Sequence, residues 1–511
     1  MFELPSGAEI QGIIASLKAS VGFFIPEIYL SVLFMLLIVI DLVAKGRKNN
    51  LLSITTLLGL AGSTIFIYQQ HSLPAGELFF GMYVLDEFAL FFKYFFVLSG
   101  ILAVIVTMAD EQFDREVKSI GEYYALIVAM VIGMIMMASS ADLLMIFLSM
   151  ELVSFTGYLL AGYFKRNSRS SEAALKYLVY GAVSSGLMVY GFSLIYGITA
   201  QTNLIKISLE LAAHGSDSLV MILATLLVLA GFGYKIGAVP FHFWSPDVYE
   251  GAPTPITAYL SVASKAAGFA LLMRFFYIAI PHGGLPPEDK LGLDWVSLLM
   301  LLSVASMIYG NVVALWQKNV KRLLAYSSIA HAGYILLGII VMSDLGTQAT
   351  LLYLLSYFLM NFGAFYVVIL IANKTGNENL EDYRGLGIKM PLAGAALTVF
   401  LISLVGLPPT VGFIGKLYIF SALLAKGSLY LGLALVGIMT SVISLYYYML
   451  IPLNMFLRES KKPDEKSMKL DLAPQIFMTV LMILTLVFGI YFAPLSDFAK
   501  YSSAMFGITL H

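Results

Sequence analysis

The sequence predicts an all-α membrane protein built from about 14 transmembrane helices, some of them interrupted. Of the 511 residues, 59% are apolar and only 12% are charged, whereas soluble domains carry about 25% charged residues. The mean hydropathy is +0.87. Apolar windows long enough to cross a hydrocarbon layer of about 30 Å recur along the chain. They are too long and too continuous for the strands of a membrane barrel.

The apolar windows define the predicted helices in order. They lie at 23–43, 51–69, 86–108, 121–138, 141–163, 172–198, 218–243, 254–279, 294–315, 320–342, 347–373, 391–425, 429–457 and 472–493. The stretch before residue 23 contains two acids and a single basic residue, Lys18. We therefore expect no cleavable signal, so that the first apolar segment stays in the membrane.

The distribution of charged residues predicts how the chain is oriented in the membrane, and the composition excludes several functions. Loops that follow odd-numbered helices hold 19 of the 30 Lys and Arg residues, and the opposite side holds five. Because cytoplasmic loops carry the excess, both termini are expected outside the cytoplasm. A formal charge of −1 offers no basic surface for nucleic acid. The chain has no cysteine, which excludes thiolate zinc sites and cysteine-ligated iron–sulfur clusters.

Lys321 and Arg322, at the very start of the window at 320–342, are counted with the preceding loop. Six other cations fall inside the windows, where a charge costs at least about 2.5 to 3.5 kcal/mol. Lys93 and Arg274 are expected to reach a helix end or to pair with a nearby acid. Lys176 lies one turn into its helix after Glu172, and this i, i+4 pair explains it as well as a function does. The acids near window ends, which we expect water and lipid head groups to solvate, are Glu27, Asp41, Asp86, Glu87 and Asp142.

Three lysines remain deep inside windows. Lys265 stands in Ser-Val-Ala-Ser-Lys-Ala-Ala-Gly, whose small residues leave room for water or another helix. Lys235 precedes Pro240, and Lys416 follows a Pro-Pro pair; proline removes a backbone donor and interrupts a helix. Two interrupted helices that each carry a lysine indicate two related halves and an ion pathway. Two ordinary proline kinks are the alternative interpretation.

Other titratable groups accompany these lysines. Glu151 is the acid closest to the middle of a window. Burial lowers the pKa of a lysine and a nearby carboxylate raises it, so a change in their distance can load or release a proton. His242 and His331 lie in apolar windows, where a histidine serves either as a proton carrier or as a hydrogen-bonded core residue. No cluster of metal ligands is visible.

Three segments resemble the antiporter-like membrane subunits of respiratory complex I, and among them the N type. They are Ser-Met-Glu-Leu around Glu151, the run Tyr-Lys-Ile-Gly-Ala-Val-Pro-Phe-His-Phe-Trp-Ser-Pro-Asp-Val-Tyr-Glu-Gly-Ala-Pro-Thr-Pro at 234–255, and Gly-Leu-Pro-Pro-Thr-Val-Gly-Phe-Ile-Gly-Lys ending at Lys416. The resemblance covers nearly the whole chain. The M type typically has Glu where Lys416 stands, and the L type has a long amphipathic C-terminal helix for which the residues after 493 leave no room.

The resemblance implies 14 helices with two inverted five-helix repeats and a proton half-channel in each. The implied ranges are 1–120 for helices 1–3, 121–279 for the first repeat, 294–457 for the second repeat, and 472–511 for helix 14 and the tail. It implies Glu151 as the acid paired with Lys235, Lys265 as the bridging lysine and Lys416 as the terminal one. The residues that match further positions on the same axis are Lys176, His242 and His331.

The implied function is that of a proton-translocating membrane-arm subunit of an NADH:quinone oxidoreductase, with no cofactor of its own. NADH or another donor, FMN, iron–sulfur clusters and quinone are expected on partner chains. The expected partners are other membrane-arm subunits, both antiporter-like and small hydrophobic ones, in a bacterial inner membrane or an equivalent energy-coupling membrane. The peripheral redox arm would act indirectly, because quinone reduction elsewhere would drive this chain electrostatically.

Two other functions stay open on the sequence. A subunit of a multisubunit cation/proton antiporter shares the fold and the charges but needs no electron donor. An assembly scaffold would use the buried ions structurally, and replacing each buried pair with apolar residues would then leave transport intact.

Overall fold

The computed structural model describes residues 7–43, 50–117, 119–214, 218–280, 295–460 and 468–503. Within these ranges, thirteen helices are long and apolar enough to cross a membrane, and one small antiparallel hairpin joins Gly76–Leu78 to Tyr83–Leu85. The predicted all-α membrane fold is confirmed. The predicted orientation depends on the cations of the loops. Eight of these cations lie outside the described residues: Lys45, Arg47, Lys48, Lys118, Lys290, Lys461, Lys462 and Lys466.

The N-terminal part contains three long helices and two short ones. They are α1 (Gly7–Phe23), α2 (Ile25–Val43), α3 (Asn50–Gln70), α4 (Glu87–Met108) and α5 (Glu111–Glu116). The apolar windows predict α2, α3 and α4 to within a few residues, but not α1, whose 17 residues precede the first window. The side chain of Asp86 caps α4 by accepting a hydrogen bond from the backbone of Ala89.

The middle of the chain forms two sets of helices. The first is α6 (Gly121–Ser139), α7 (Leu143–Ala161), α8 (Ser168–Thr199), α9 (Leu204–His214), α10 (Ser218–Ile236), α11 (Trp244–Gly251), α12 (Thr254–Tyr259) and α13 (Lys265–Ile278). The second is α14 (Trp295–Ala314), α15 (Val320–Ile340), α16 (Asp344–Thr375), α17 (Leu386–Lys389), α18 (Pro391–Val405), α19 (Val411–Lys426) and α20 (Ser428–Leu457). The chain continues with α21 (Leu472–Ile490) and α22 (Ala493–Ser503).

Both predicted interruptions are present. In the window at 218–243, helix α10 ends at Ile236, and the next helix, α11, begins just after the window. The window at 391–425 is divided between α18 and α19. Gly237 and Gly406 stand at the two breaks with φ of 70° and 87°, a left-handed conformation that favours glycine. A third irregularity, the π-helical turn Leu260–Ser264 between α12 and α13, was not predicted. Such turns occur often at functional sites.

The inner helices are 254–278, α15 and α16, whose apolar windows are 94% to 100% buried, whereas α2 and α21 are 28% and 17% buried. The buried helices therefore form the centre of the bundle, and the exposed ones its margin.

The expectation that water and head groups solvate the acids near window ends is wrong for four of the five. Glu27, Asp41, Asp86 and Asp142 are at most 9% exposed. Glu27 pairs with the buried Lys93 at 2.7 Å, and Asp86 pairs with Arg274 at 2.7 Å. These pairings confirm that Lys93 and Arg274 bind nearby acids. A buried carboxylate needs such a partner because its desolvation is otherwise uncompensated.

Asp110, at the start of α5, leads to a prediction about stability. Its side chain, 5% exposed, accepts hydrogen bonds from the backbone of Gln112 and Phe113 at 2.9 and 3.3 Å. Burial raises the pKa of Asp110 to about 6, although these hydrogen bonds lower it. The carboxyl group of the unfolded chain ionises near pH 4, so the folded state loses stability as the pH rises from about 4 to about 6.

We therefore expect Asp110→Asn to raise the thermal unfolding midpoint at pH 7.5, with a gain in stability of at most about 3 kcal/mol, and to change it little at pH 4. Asparagine caps a helix as well as aspartate does, so the substitution tests the charge alone. The measurement is thermal unfolding in detergent at both pH values. An equal stabilisation at pH 4 and pH 7.5 would contradict the explanation.

Candidate functional site: a row of buried lysines

Three buried lysines, here called the lysine row, stand where the helices are irregular. Lys235 is the last residue but one of α10, Lys265 follows the π-helical turn, and Lys416 lies just over one turn into α19. They are 1%, 3% and 5% exposed. A helix break frees carbonyl groups, and a buried ammonium group can bind them. Lys416 binds such a carbonyl, that of Val405, whereas Lys235 and Lys265 donate to serine hydroxyl groups.

The first end of the row lies between α7 and α10. Lys235 Nζ donates a hydrogen bond to Ser154 Oγ at 3.1 Å. Ser154 follows Glu151 by three residues, so the two side chains share one face of α7. Glu151, which is partly exposed, accepts a hydrogen bond from Ser185 on α8. Lys235 therefore binds a hydroxyl group one turn from Glu151 on α7, and among the described residues it forms no ion pair with that acid.

Lys265 lies directly beside the first helix break. A Cβ atom added to Gly237 would come within 3.0 Å of Lys265 Nζ, and one added to Gly268 would come within 3.1 Å of Lys235 Cγ. These close approaches pack the end of α10 against the start of α13. Lys265 Nζ donates to Ser328 Oγ at 2.8 Å, which links the row to α15.

His331 continues the polar contacts along α15, one turn after Ser328. Its Nδ1 lies 2.7 Å from the hydroxyl of Tyr353, and its Nε2 lies 3.1 Å from the hydroxyl of Tyr448. The ring of Tyr334, a further turn along α15, is 5.7 Å from the imidazole. His331 is therefore held between hydroxyl groups, each of which can donate or accept a hydrogen bond.

Lys416 forms the other end of the row. Its ammonium group donates to the carbonyl of Val405 at 2.7 Å and to Ser441 Oγ at 2.8 Å, and it lies 4.6 Å from the ring centre of Tyr334. The carbonyl of Val405 belongs to the end of α18, where the helix stops. A cavity of about 280 Å³ adjoins Lys416.

The three lysines differ from two other buried cations, Lys93 and Arg274, in the kind of partner that each binds. Lys93 and Arg274 are equally buried and each forms an ion pair with an acid. In the part of the chain that the structure describes, no member of the lysine row does so; each donates to hydroxyl or carbonyl oxygens instead. Charges that only stabilise a fold are normally paired, so this difference indicates a functional group.

Of the other residues predicted to lie on the proton path, the structure places only some beside the lysine row. His331 joins the row, whereas Lys176 is 37% exposed and pairs with Glu172 at 2.7 Å and Asp247 at 2.6 Å. His242 lies in the segment between α10 and α11, is 2% exposed and packs against Phe243 and Tyr309. Neither of its ring nitrogens has a hydrogen-bond partner among the described residues. The described residues contain no group of three or more acids and histidines that could hold a metal ion.

Sequence reasoning missed the hydroxyl groups that connect the row. The side chains that carry them are Ser154, Ser185, Ser328, Ser441, Tyr353 and Tyr448. The chain has 30 tyrosines, and serine is common in membrane helices because it can bond the backbone of its own helix. Nothing in the sequence distinguishes the connecting hydroxyls from these others.

Comparisons with known proteins agree on one family. Residues 140–444 match the family model described as NADH:quinone oxidoreductase/Mrp antiporter, TM. The chain is 76% identical over 512 residues to NADH-quinone oxidoreductase subunit N of Chlorobium chlorochromatii (strain CaD3), with all of both chains covered. A chain of respiratory complex I from Thermus thermophilus superposes with a TM-score of 0.74 at 31% identity, covering 92% of this chain and 98% of that one.

A chain of the Mrp complex from Dietzia sp. DQ12-45-1b also superposes, with a TM-score of 0.77, covering 94% of this chain and 96% of that one. Its identity to this chain is 21%, and a likeness at that level shows the fold alone.

Proposed function

Because the chain belongs to the family of NADH-quinone oxidoreductase N subunits, the proton-translocating membrane subunits of complex I, we propose that protons move through it along the lysine row. The observation that carries this proposal is that, among the described residues, the three lysines are buried without an ion pair, whereas the buried Lys93, Arg274 and Lys321 each have one. Lysine changes its protonation readily on burial, whereas arginine stays charged. The row therefore consists of groups that can release a proton.

In this pathway Glu151 is the acid at one end, Lys235 its nearest lysine, Lys265 the bridging group and Lys416 the terminal group. Lys235 donates to Ser154, which lies one turn from Glu151 on α7, and Ser328 leads from Lys265 to α15. His331 then contacts Tyr353 and Tyr448, and Tyr334, one turn further along α15, lies beside Lys416. A proton can pass between such groups because hydroxyl and imidazole both donate and accept hydrogen bonds.

Water completes the connections in this proposal. Several buried polar atoms close to the lysines have no protein partner among the described residues, among them Ser245 Oγ, Ser264 Oγ, Tyr357 OH and both ring nitrogens of His242. Buried polar groups of this kind are normally satisfied by ordered water. His242 is thus a candidate for the secondary proton path, beside the first helix break.

The two breaks also support two related halves, at 121–279 and 294–457, between the N-terminal helices of 1–120 and the C-terminal 472–511. Each half contains one interrupted helix with a lysine of the row and a glycine in left-handed conformation at the break. An inverted pair of five-helix repeats places such breaks symmetrically about the midplane of the membrane. Loop charges favour both termini on the outer side of a bacterial inner membrane.

The driving reaction belongs to partner chains in this proposal. The chain has no cysteine to ligate an iron–sulfur cluster. In this proposal the electron donor, FMN and quinone, like the clusters, bind to other subunits of the complex. Quinone reduction there changes the local charge and shifts the protonation of the row electrostatically. The antiporter alternative has weaker support, because likeness to the Mrp chain extends to the fold and not to close identity.

We expect the chain to co-purify with flavin-binding and iron–sulfur-binding subunits. The measurement is gentle detergent extraction from native membranes followed by mass spectrometry of every chain that travels with it. Recovery of only small hydrophobic antiporter subunits would contradict the coupling to redox chemistry and would favour the cation antiporter.

A further inference from the structure

Helix α11 is the short segment that follows the first helix break, and it carries two aromatic residues of the site. Tyr249 places its ring 5.8 Å from Lys265 Nζ and its hydroxyl 3.5 Å from Ser328 Oγ. Trp244 stacks on Tyr177 of α8 at 4.5 Å between ring centres. Any displacement of α11 therefore changes the surroundings of Lys265. The contacts that hold α11 determine the geometry of the row.

Ion pairs hold α11 on two sides. Asp247 of α11 accepts from Lys176 of α8 at 2.6 Å and from Arg322 of α15 at 2.6 Å. Arg322 also binds Glu250, one turn further along α11, at 3.0 Å. One carboxylate thus joins a helix of the first set to a helix of the second. We name Lys176, Asp247, Glu250 and Arg322 the ion-pair clamp.

A second cation from α15 secures the end of α11. Lys321, which is 3% exposed, donates from Nζ to the carbonyl of Ala252 at 2.9 Å and pairs with Glu378 at 3.3 Å. Ala252 follows the last residue of α11, where unsatisfied carbonyls favour a positive charge. The short helix is therefore anchored at its C-terminal end as well as along its side.

Lys176 differs from the lysine row in position and in partners. It precedes Ser185, the residue of α8 that reaches Glu151, by nine residues, which corresponds to about 13 Å along a helix. Its side chain is 37% exposed and has two carboxylate partners, whereas the lysine row is buried and donates to hydroxyl and carbonyl oxygens. A cation with two acids beside it is held charged, which suits a positional role better than proton release.

We propose that the ion-pair clamp positions α11 against both halves of the chain, and that Lys176 acts in it as a positioning residue and not as a proton carrier. This inference rests on the proposed function only in that α11 adjoins the proton pathway. It assigns the same role to Asp247 and Arg322, neither of which was predicted to take part in proton transfer. The family resemblance alone places Lys176 on the axis of proton transfer.

The test compares two Lys→Arg substitutions in the assembled complex. Arginine stays charged and pairs well with carboxylates, but it releases no proton near neutral pH. In sealed membrane vesicles, Lys176→Arg is expected to pump within twofold of the unchanged protein, with the same pH dependence. Lys265→Arg is expected to lose at least tenfold. If Lys176→Arg lost pumping as completely as Lys265→Arg, Lys176 would be a carrier and the inference would be overturned.

A second pair of variants tests positioning itself. Asp247→Asn removes both ion pairs of that carboxylate and is expected to lower pumping at least threefold at an unchanged yield of complex, and Asp247→Glu is expected to restore at least half. Full pumping by Asp247→Asn would overturn the role of the clamp, as would failure of that variant to assemble, which would show a purely structural role. Normal pumping by Lys265→Arg would instead contradict the proposed pathway, whatever the clamp does.

Discussion

Replacing Lys235 with methionine is expected to reduce proton pumping at least tenfold while the complex still assembles. Methionine approximates the volume of the lysine stem and is apolar, so the buried end of α10 keeps its packing. The substitution removes the ammonium group that donates to Ser154. Glu151→Gln is expected to have the same effect, because the amide keeps the hydrogen bond from Ser185 but cannot bind a proton at neutral pH.

The measurement is acidification of sealed membrane vesicles after addition of the electron donor, with the amount of assembled complex determined in the same membranes. Lys206→Met is the matched control, because Lys206 is exposed on α9 and lies outside the row. Pumping near the normal rate by both Lys235→Met and Glu151→Gln would contradict the pathway and would favour the structural scaffold.

The largest effect on stability is expected at the buried pair of Arg274 and Asp86. Two nitrogens of the guanidinium group donate to the carboxylate at 2.7 and 2.9 Å, and a third donates to the carbonyl of Ala138 at 2.7 Å. Arg274→Met leaves a carboxylate that is 5% exposed without its partner. Removing one member of a buried pair costs about 3–5 kcal/mol, so we expect a much lower thermal midpoint and a lower yield.

The double variant Arg274→Met with Asp86→Asn provides the control. Asparagine removes the charge and keeps the cap on α4, so most of the lost stability is expected to return. Lys374→Met breaks a solvent-exposed pair with Glu111, 3.5 Å apart, and is expected to change stability by less than about 1 kcal/mol. A double variant no more stable than Arg274→Met alone would contradict the explanation by an unpaired charge.

The sequence was sufficient to predict the elements that depend on local composition. The apolar windows predicted the membrane helices, because a helix that spans lipid must be apolar over its whole length. Pro240 and the Pro-Pro pair before Lys416 predicted both breaks, because proline cannot complete the backbone hydrogen bonds of a helix. The lysines were conspicuous because charge is rare in such windows.

Contacts between distant parts of the chain could not be predicted in this way. Glu27 and Asp86 were assigned to solvent because their partners, Lys93 and Arg274, are remote in sequence and come together only when the helices pack. The π-helical turn before Lys265 has no proline or glycine to mark it. The position of Lys176 near Asp247 likewise depends on how α8 packs against α11.

The most direct test of the central claim is the number of protons moved per quinone reduced, measured in vesicles containing the purified complex. The lysine row predicts that Lys265→Arg lowers this number or stops both reactions together, because arginine donates to Ser328 but does not release its proton. The same stoichiometry and the same rate as in the unchanged protein would show that protons do not pass through Lys265.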